Sequence, residues 1–298
     1  MDMMRALEQP RVLRALTGLT RAEFDRLHEE FAGGWEVHTR RAQHRGPRQR
    51  ARGGGRKAAL TTLGHKLLFI LFHFRHYPTQ EVIGFCFELS QPRANQWLLR
   101  LAPLLEKALG RQLALPARQP RQLAQILAAC PELGAVIDGT ERPIRRPKAA
   151  GRQRRYYSGK KKRHTVKNVV VTQGRRVQFL SRTAPGRRHD KKLAEPIREL
   201  PAGTTLLGDS GFQGFAPAGA TMIVPAKKPR GGELHPATTA TNRVLATCRV
   251  VVEHVLAGVK RCRIVSDVFR HLKAGWADLA MNIACGLHNL RETARPAA

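Results

Sequence analysis

The chain holds 22 Asp and Glu against 53 Lys and Arg, so an acid set beside an apolar run needs a reason. Three acids meet that description. Asp138 closes the apolar run of AVIDGTERPI, Asp209 closes TTLLGD, and Glu253 lies in RVVVEHVLAGVK. Asp-Gly and Asp-Ser-Gly are common turn sequences, and a helical Glu is commonly a surface charge, so turn and ligand stay open for each acid taken alone. Glu253 has Val250, Val251, Val252 and Val255 as neighbours, where an unpaired charge is costly. If the strands ending on Asp138 and Asp209 are adjacent, their carboxylates share one sheet edge, and a late helix can bring Glu253 to it. Such a trio repels itself unless a cation lies within it. Oxygen donors of this kind suit Mg²⁺, with Mn²⁺ able to substitute. Two ions per site would activate a hydroxyl and stabilise the leaving oxygen of a phosphodiester.

The rest of the composition names the polymer that carries such phosphodiesters. A formal net charge of +31 and a sequence pI near 11.5 imply a polyanionic partner. Residues 142 to 163 hold eleven basic side chains in twenty-two and no acid, directly after Asp138. Arg145, Arg146, Lys148, Arg154, Arg155, Lys160, Lys161, Lys162 and Arg163 are phosphate-contact candidates there, with Lys167 just beyond. Tyr156 and Tyr157 interrupt the run and could stack on bases; a solvated basic loop is the plainer alternative. Five cysteines without a C-x-x-C pair suggest neither a disulfide framework nor a zinc site. No run approaches the ~18 apolar residues of a membrane span, and MDMMRALEQP lacks the apolar core of a signal peptide. The expectation is a cytoplasmic, nucleoid-associated protein with no small-molecule cofactor.

The elements that must position these residues follow from periodicity. Residues 1–39 read as helices, with Thr20 and Glu23 forming a capping box. Residues 40–58, Arg-rich and containing Gly53-Gly54-Gly55, read as a basic linker. Residues 59–115 read as LTTLGHKLLFILFHF, a short TQEVIGFCFEL helix, and a longer helix opened by Ser90 as N-cap with Pro92 in its first turn. A short helix, a tight turn and a longer helix describe a helix-turn-helix, in which Gln91, Arg93, Asn95 and Gln96 would face DNA; a small helical bundle fits the same pattern. Beyond residue 130 the period changes to two. Strands are predicted at 134–138, 164–173, 177–184, 204–210 and 221–226, with a Gln173-Gly174 hairpin, and helices at HDKKLAEPIREL, 242–260 and ADLAMNIACGLHNL. That order is the order of an α/β, ribonuclease H-like mixed sheet with flanking helices, spanning 130–298 and preceded by the all-α region.

The successive blocks IDGTERPIRRPK, RRYYSGKKKRHTVKNVVV, APGRRHD, LLGDSGFQG and NRVLATCRVVVEHVLAGVKRCRI resemble those of DDE transposases of the Harbinger-like, insertion-sequence-five type, over residues 130 to 270. The resemblance implies Asp138, Asp209 and Glu253 as the catalytic and metal-binding triad of a ribonuclease H-like fold. It also implies terminal inverted repeats and target DNA as partners and a homo-oligomer, at least a dimer, holding two DNA ends. Arg249, Glu253 and Lys260 reproduce the R-x3-E-x6-K spacing of related transposases, on about one helix face. This chain departs from the pattern at Ala246, where a Tyr is expected, and at Phe212, where Tyr is frequent. Asp190 in GRRHDKK reads either as an extra metal-site carboxylate or as a helix N-cap, and His189 is equally open. The alternatives to an active transposase are a catalytically silent, transposase-derived DNA-binding protein and an RNA-binding basic protein.

Overall fold

The computed structural model describes residues 3–43, 59–130, 134–229 and 231–294. They form two compact units, one made of the described residues within Met1–Leu115, Arg261–Ile264 and Leu279–Ala298, the other of those within Pro116–Lys260 and Val265–Asp278.

The first unit is helical: α1 (Pro10–Thr17), α2 (Arg21–Gln43), α3 (Leu63–His76), α4 (Gln80–Cys86) and α5 (Gln91–Arg111), joined by α10 (Trp276–Thr293) from Leu279 onward. The capping box opens α2: the Thr20 N–H donates to Glu23 Oε2 at 2.6 Å, and the Glu23 N–H returns to Thr20 Oγ1 at 3.3 Å. Helix α2 continues to Gln43, so residues 40–43 of the predicted linker are helical and its remainder lies outside the described residues. Thr62 caps α3 by accepting the His65 N–H at 3.1 Å. Ser90 occupies the N-cap position of α5 in extended backbone, but its hydroxyl makes no capping bond; Pro92, whose missing N–H costs nothing in the first turn, is what suits that start. Along α10 the Asn282 amide donates to Glu106 at 2.8 Å and the Asn289 amide to the Ala114 carbonyl at 2.9 Å. The C-terminal helix thus belongs to this unit, and the compact partition differs from a division at residue 130.

The second unit is a mixed seven-stranded sheet with helices. Its elements are α6 (Pro120–Ala129), β1 (Ala135–Pro143), α7 (Ala150–Tyr156), β2 (Tyr157–Ser158), β3 (Arg163–Gln173), β4 (Arg176–Leu180), β5 (Ala184–Pro185), α8 (Asp190–Ala194), β6 (Glu199–Leu207), β7 (Ala218–Ile223) and α9 (Pro236–Lys260). The strand order is β2-β3-β1-β6-β7, with β4 and β5 also pairing β3. Strand β1 is antiparallel to β3 and parallel to β6, and β6 is parallel to β7. Gly174, at φ +55°, makes the predicted β3–β4 turn.

Alternation sorts the sheet into two faces. Ala135 and Ile137 of β1, Val169 and Val171 of β3 and Leu206 of β6 join one core with Leu123 and Leu127 of α6 and Leu193 and Ala194 of α8. Val136 and Asp138 point to the opposite face. There α9 packs on β1 and buries Val252, Val255, Leu256 and Val259.

Several predicted elements differ in extent. Strand β1 does not end at Asp138; it runs to Pro143 because β3 pairs it through Pro143↔Thr165, although the ladder to β6 covers only Ala135 and Val136. The predicted strand 177–184 is divided into β4 and β5. The helix read over HDKKLAEPIREL is only Asp190–Ala194, because Pro196 cannot continue it, and β6 starts at Glu199. The basic stretch contains the helix α7, and α6 had no counterpart in the sequence reading.

Candidate active site and nucleic-acid interface

Register brings two of the three acids together. Val136 pairs with Leu207 across the parallel β1–β6 ladder; Asp138 follows two residues on in β1, and Asp209 two residues on from Leu207, just past the end of β6 in extended backbone. Two residues preserve the face, and neighbouring strands lie about 4.8 Å apart, so Asp138 and Asp209 project side by side. Asp209 also forms its own turn: it heads a 3-10 segment, Ser210–Phe212, with Oδ1 accepting the Gly211 N–H at 2.8 Å. Phe212, at the position where Tyr is frequent, is fully buried in the core.

The electrostatics show the cost of this pairing. Burial pushes the Asp138 carboxyl up to about 6 from 3.8, and the charges of Asp209 and Asp190 push the same way, while the Gly139 N–H and Arg249 oppose them. That N–H reaches Asp138 Oδ1 at 2.8 Å. Arg249 comes from α9, half-buried, with Nε lacking a hydrogen-bond partner among the described residues.

Asp190 has a different setting from the predicted cap. His189 takes the N-cap position of α8, its Nδ1 accepting the Lys191 N–H at 3.3 Å. The Asp190 carboxylate instead lies against β1: a Cβ on Gly139 would sit 2.5 Å from its Oδ1. Gly139 is therefore not the residue that stops the strand; it leaves space for the Asp190 carboxylate on the face of β1 opposite the Asp138 side chain. Lys167 holds that carboxylate. Its Nζ is 3.2 Å from Asp190 Oδ1 and 3.0 Å from Glu141 Oε1, and Thr165 donates to Glu141 Oε2 at 3.1 Å. Burial lowers the Lys167 pKa, but hydrogen bonds and charge from Glu141 and Asp190 outweigh it and leave it raised. For Glu141 burial works upward, and bonds from Ser158 and Lys167 hold it below the usual range. Lys167, expected among the DNA contacts, is only 8% exposed and is an internal counter-ion. Glu141 went unnoticed in the sequence, although the scarcity of acids was a signal that pointed to it.

Glu253 stands one turn beyond Arg249 on α9 and is exposed. At about 100° per residue it lies at the margin of the buried stripe, as does Lys260. Among the described residues no group of three or more His, Cys, Asp or Glu comes together as a metal-holding cluster. The fit to a divalent cation therefore rests on the Asp138–Asp209 pair: hard oxygens, with Asp138 kept from easy ionisation, are donors that a cation would relieve, while Asp190 sits on the other face of β1 with Lys167.

The other predicted contacts divide by exposure. Arg145, Arg146, Lys148, Arg154 and Arg155 are exposed around α7, and Lys160, Lys161, Lys162 and Arg163 on the β2–β3 turn. In the helical unit Arg93 and Gln96 are exposed on α5. Gln91 and Asn95 are tied to α4: Gln91 donates to Gln80, and Gln80 donates to Asn95 at 3.0 Å. Among the described residues no helix is long and apolar enough to cross a membrane.

Comparison with known proteins agrees with this layout. The family model described as "DDE superfamily endonuclease" matches residues 137–289, and "Helix-turn-helix of DDE superfamily endonuclease" matches residues 58–111. A curated relative from Microchaete diplosiphon, "Probable transposase for insertion sequence element IS702", is 29% identical over 231 residues, which cover 75% of this chain and 79% of the relative. No solved structure matches the chain. With a helix-turn-helix ahead of a sheet that sets Asp138 beside Asp209, and with just over half its residues matched by the endonuclease model, this chain belongs to the DDE superfamily of transposase endonucleases.

Proposed function

We propose that the protein binds the terminal inverted repeats of a mobile element through its helix-turn-helix and cuts and joins DNA strands at the Asp138–Asp209 edge. The observation that carries this is the matching placement of the two aspartates, Asp138 in β1 and Asp209 just past the end of its parallel neighbour β6, with a carboxyl held near 6 by burial and by like charge. The strand order supports a ribonuclease H-like sheet, in which Glu253 from α9 completes the triad and Asp190 assists. Mg²⁺ ions, or Mn²⁺, held there would activate the attacking oxygen and stabilise the leaving one. The residues of the chain do the rest. Asp138, Asp209 and Glu253 would hold the cation charge at one phosphate, and Arg249 beside Asp138 would meet the phosphate oxygens. The basic surface from Arg145 to Arg163 would lay the strand across the site. Water attacks phosphorus, the P–O3′ bond breaks, and the leaving oxygen takes a proton. The freed 3′-OH then attacks a target phosphodiester in the same sense. Two DNA ends held together call for a homo-oligomer, acting at the bacterial chromosome in the cytoplasm.

A second reading has two observations in its favour: the exposed Glu253 and the lack of a three-acid cluster among the described residues suit a DNA-binding descendant that does not cut. Strand cleavage and transfer on the flanking DNA with Mg²⁺, wild type against Asp209→Ala, separates the two. Loss in the variant supports the transposase. Equal activity in both defeats it, and specific binding without cleavage by the wild type favours the second reading.

A further inference from the structure

Beside the β2–β3 hairpin lies a pocket of ≈ 660 Å³ lined by Arg146, Gln153, Arg154, Tyr157, His164 and Arg187. Arg187, from the loop before α8, was not among the predicted contacts; only the fold brings it to α7. Arg146 is pre-aimed: its Nε and Nη2 both donate to Gln153 Oε1, at 3.2 and 3.0 Å, and Gln153 donates to the Lys148 carbonyl at 3.2 Å. Among the described residues no carboxylate pairs with Arg146, Arg154 or Arg187, so their charge is available to a ligand. Tyr157 meets His164 edge-on, with centroids 5.6 Å apart at 71°, and is 43% exposed. Guanidinium groups without acidic partners around two aromatic rings match a nucleotide: phosphate oxygens for the arginines and a base for the rings. The volume suits one such small ligand, within the roughly 300–1,000 Å³ usual for such sites. A base inside a duplex is covered on both faces and cannot reach a ring in a pocket; an unpaired one can.

The sheet also sets the separation between this pocket and Asp138, which a DNA strand laid along β3 would have to span. Val170 lies opposite Asp138 on β3, and His164 is six residues away on the same strand. At about 3.3 Å per residue that is ~20 Å, or about six base steps at 3.4 Å.

We infer that this pocket takes one unpaired nucleotide of the bound DNA, its base against Tyr157 and His164 and its phosphate among the arginines, about six nucleotides from the phosphodiester at Asp138. The inference rests on the reading of the protein as a DNA strand-cutting enzyme. It adds a discrete base-holding site to what would otherwise be a uniform phosphate track.

The test uses the full-length protein without divalent metal and duplexes of the flanking DNA carrying 2-aminopurine at one position at a time. Fluorescence should rise at a single position about six steps from the cut. Tyr157→Ala should abolish the rise and weaken binding about tenfold, whereas Tyr157→Phe, which keeps the ring, should preserve both. If bound duplex brightens at no position, or if brightening survives Tyr157→Ala, the inference is overturned. Mg²⁺-dependent nicking of the same duplexes keeps the two readings apart. Nicking without brightening removes the pocket and leaves the enzyme; brightening without nicking leaves the pocket and removes the enzyme.

Discussion

Replacing Asp138 with Asn should stabilise the metal-free protein while abolishing strand cleavage. Folding moves this carboxyl from 3.8 to about 6. An acid whose pKa rises on folding binds more protons folded than unfolded between those values, so stability falls as pH climbs from about 4 to about 6 and stays lower above it. At 1.36 kcal/mol per pKa unit the cost reaches about 3 kcal/mol at pH 8. Asn keeps the oxygen that accepts the Gly139 N–H and carries no charge, so it removes most of that cost. At about 2–4 °C per kcal/mol, the melting temperature should rise by roughly 5–10 °C at pH 8. Thermal unfolding in a chelator, wild type against Asp138→Asn at pH 4 and pH 8, reads this directly. The gain should shrink to a small fraction of its pH 8 size at pH 4, where the folded wild-type carboxyl is protonated and the unfolded one is only partly ionised. Added Mg²⁺ should stabilise only the wild type. A gain of equal size at both pH values, or none at pH 8, would refute the electrostatic account, since a packing effect does not depend on pH in this window.

Lys167→Met should cost about 3 kcal/mol or more in denaturant unfolding near neutral pH, because it leaves the largely buried Glu141 and Asp190 without their cation. Since the folded pKa of Glu141 is lowered, the stability this pair supplies is present above the usual carboxylate range and disappears as pH falls through the folded value; the variant penalty should shrink there. Gly139→Ala puts a methyl 2.5 Å from Asp190 Oδ1. It should destabilise by about 1–3 kcal/mol and reduce cleavage, whereas Gly174→Ala, in a hairpin with open space around it, should leave cleavage unchanged. Replacing exposed Lys160, Lys161 and Lys162 together with Ala should reduce the slope of log K against log salt by about 0.9 for each phosphate no longer neutralised. An unchanged slope in a filter-binding titration would remove that turn from the DNA surface.

Patterns of short range were readable from the chain alone. The Thr20–Glu23 capping box, the Gln173-Gly174 turn, the period-two runs of β1, β3 and β6 and the two α4–α5 helices all depend on residues within a few positions of each other. So did the choice of acids, because in a chain this basic an Asp ending an apolar run is rare. What failed were features set by partners distant in sequence. Asp138 looked like the end of a strand because Gly139 follows it, yet β3 lies alongside and extends the ladder to Pro143. Lys167 looked like a phosphate contact because it follows a basic run, yet strand alternation turns it inward between Glu141 and Asp190.

The sequence by itself determined the residue types, the net charge, the local elements and the family resemblance carried by ordered motif blocks. Tertiary structure alone decided that Val136 and Leu207 pair, which sets Asp138 beside Asp209. It alone decided that Asp190 fills the space left by Gly139, and that Arg187 meets α7 at a pocket. The physical reason is the same in each case: a side chain's charge state and contacts depend on which groups are within a few ångströms of it, and over gaps of tens of residues only the packing of the sheet specifies that.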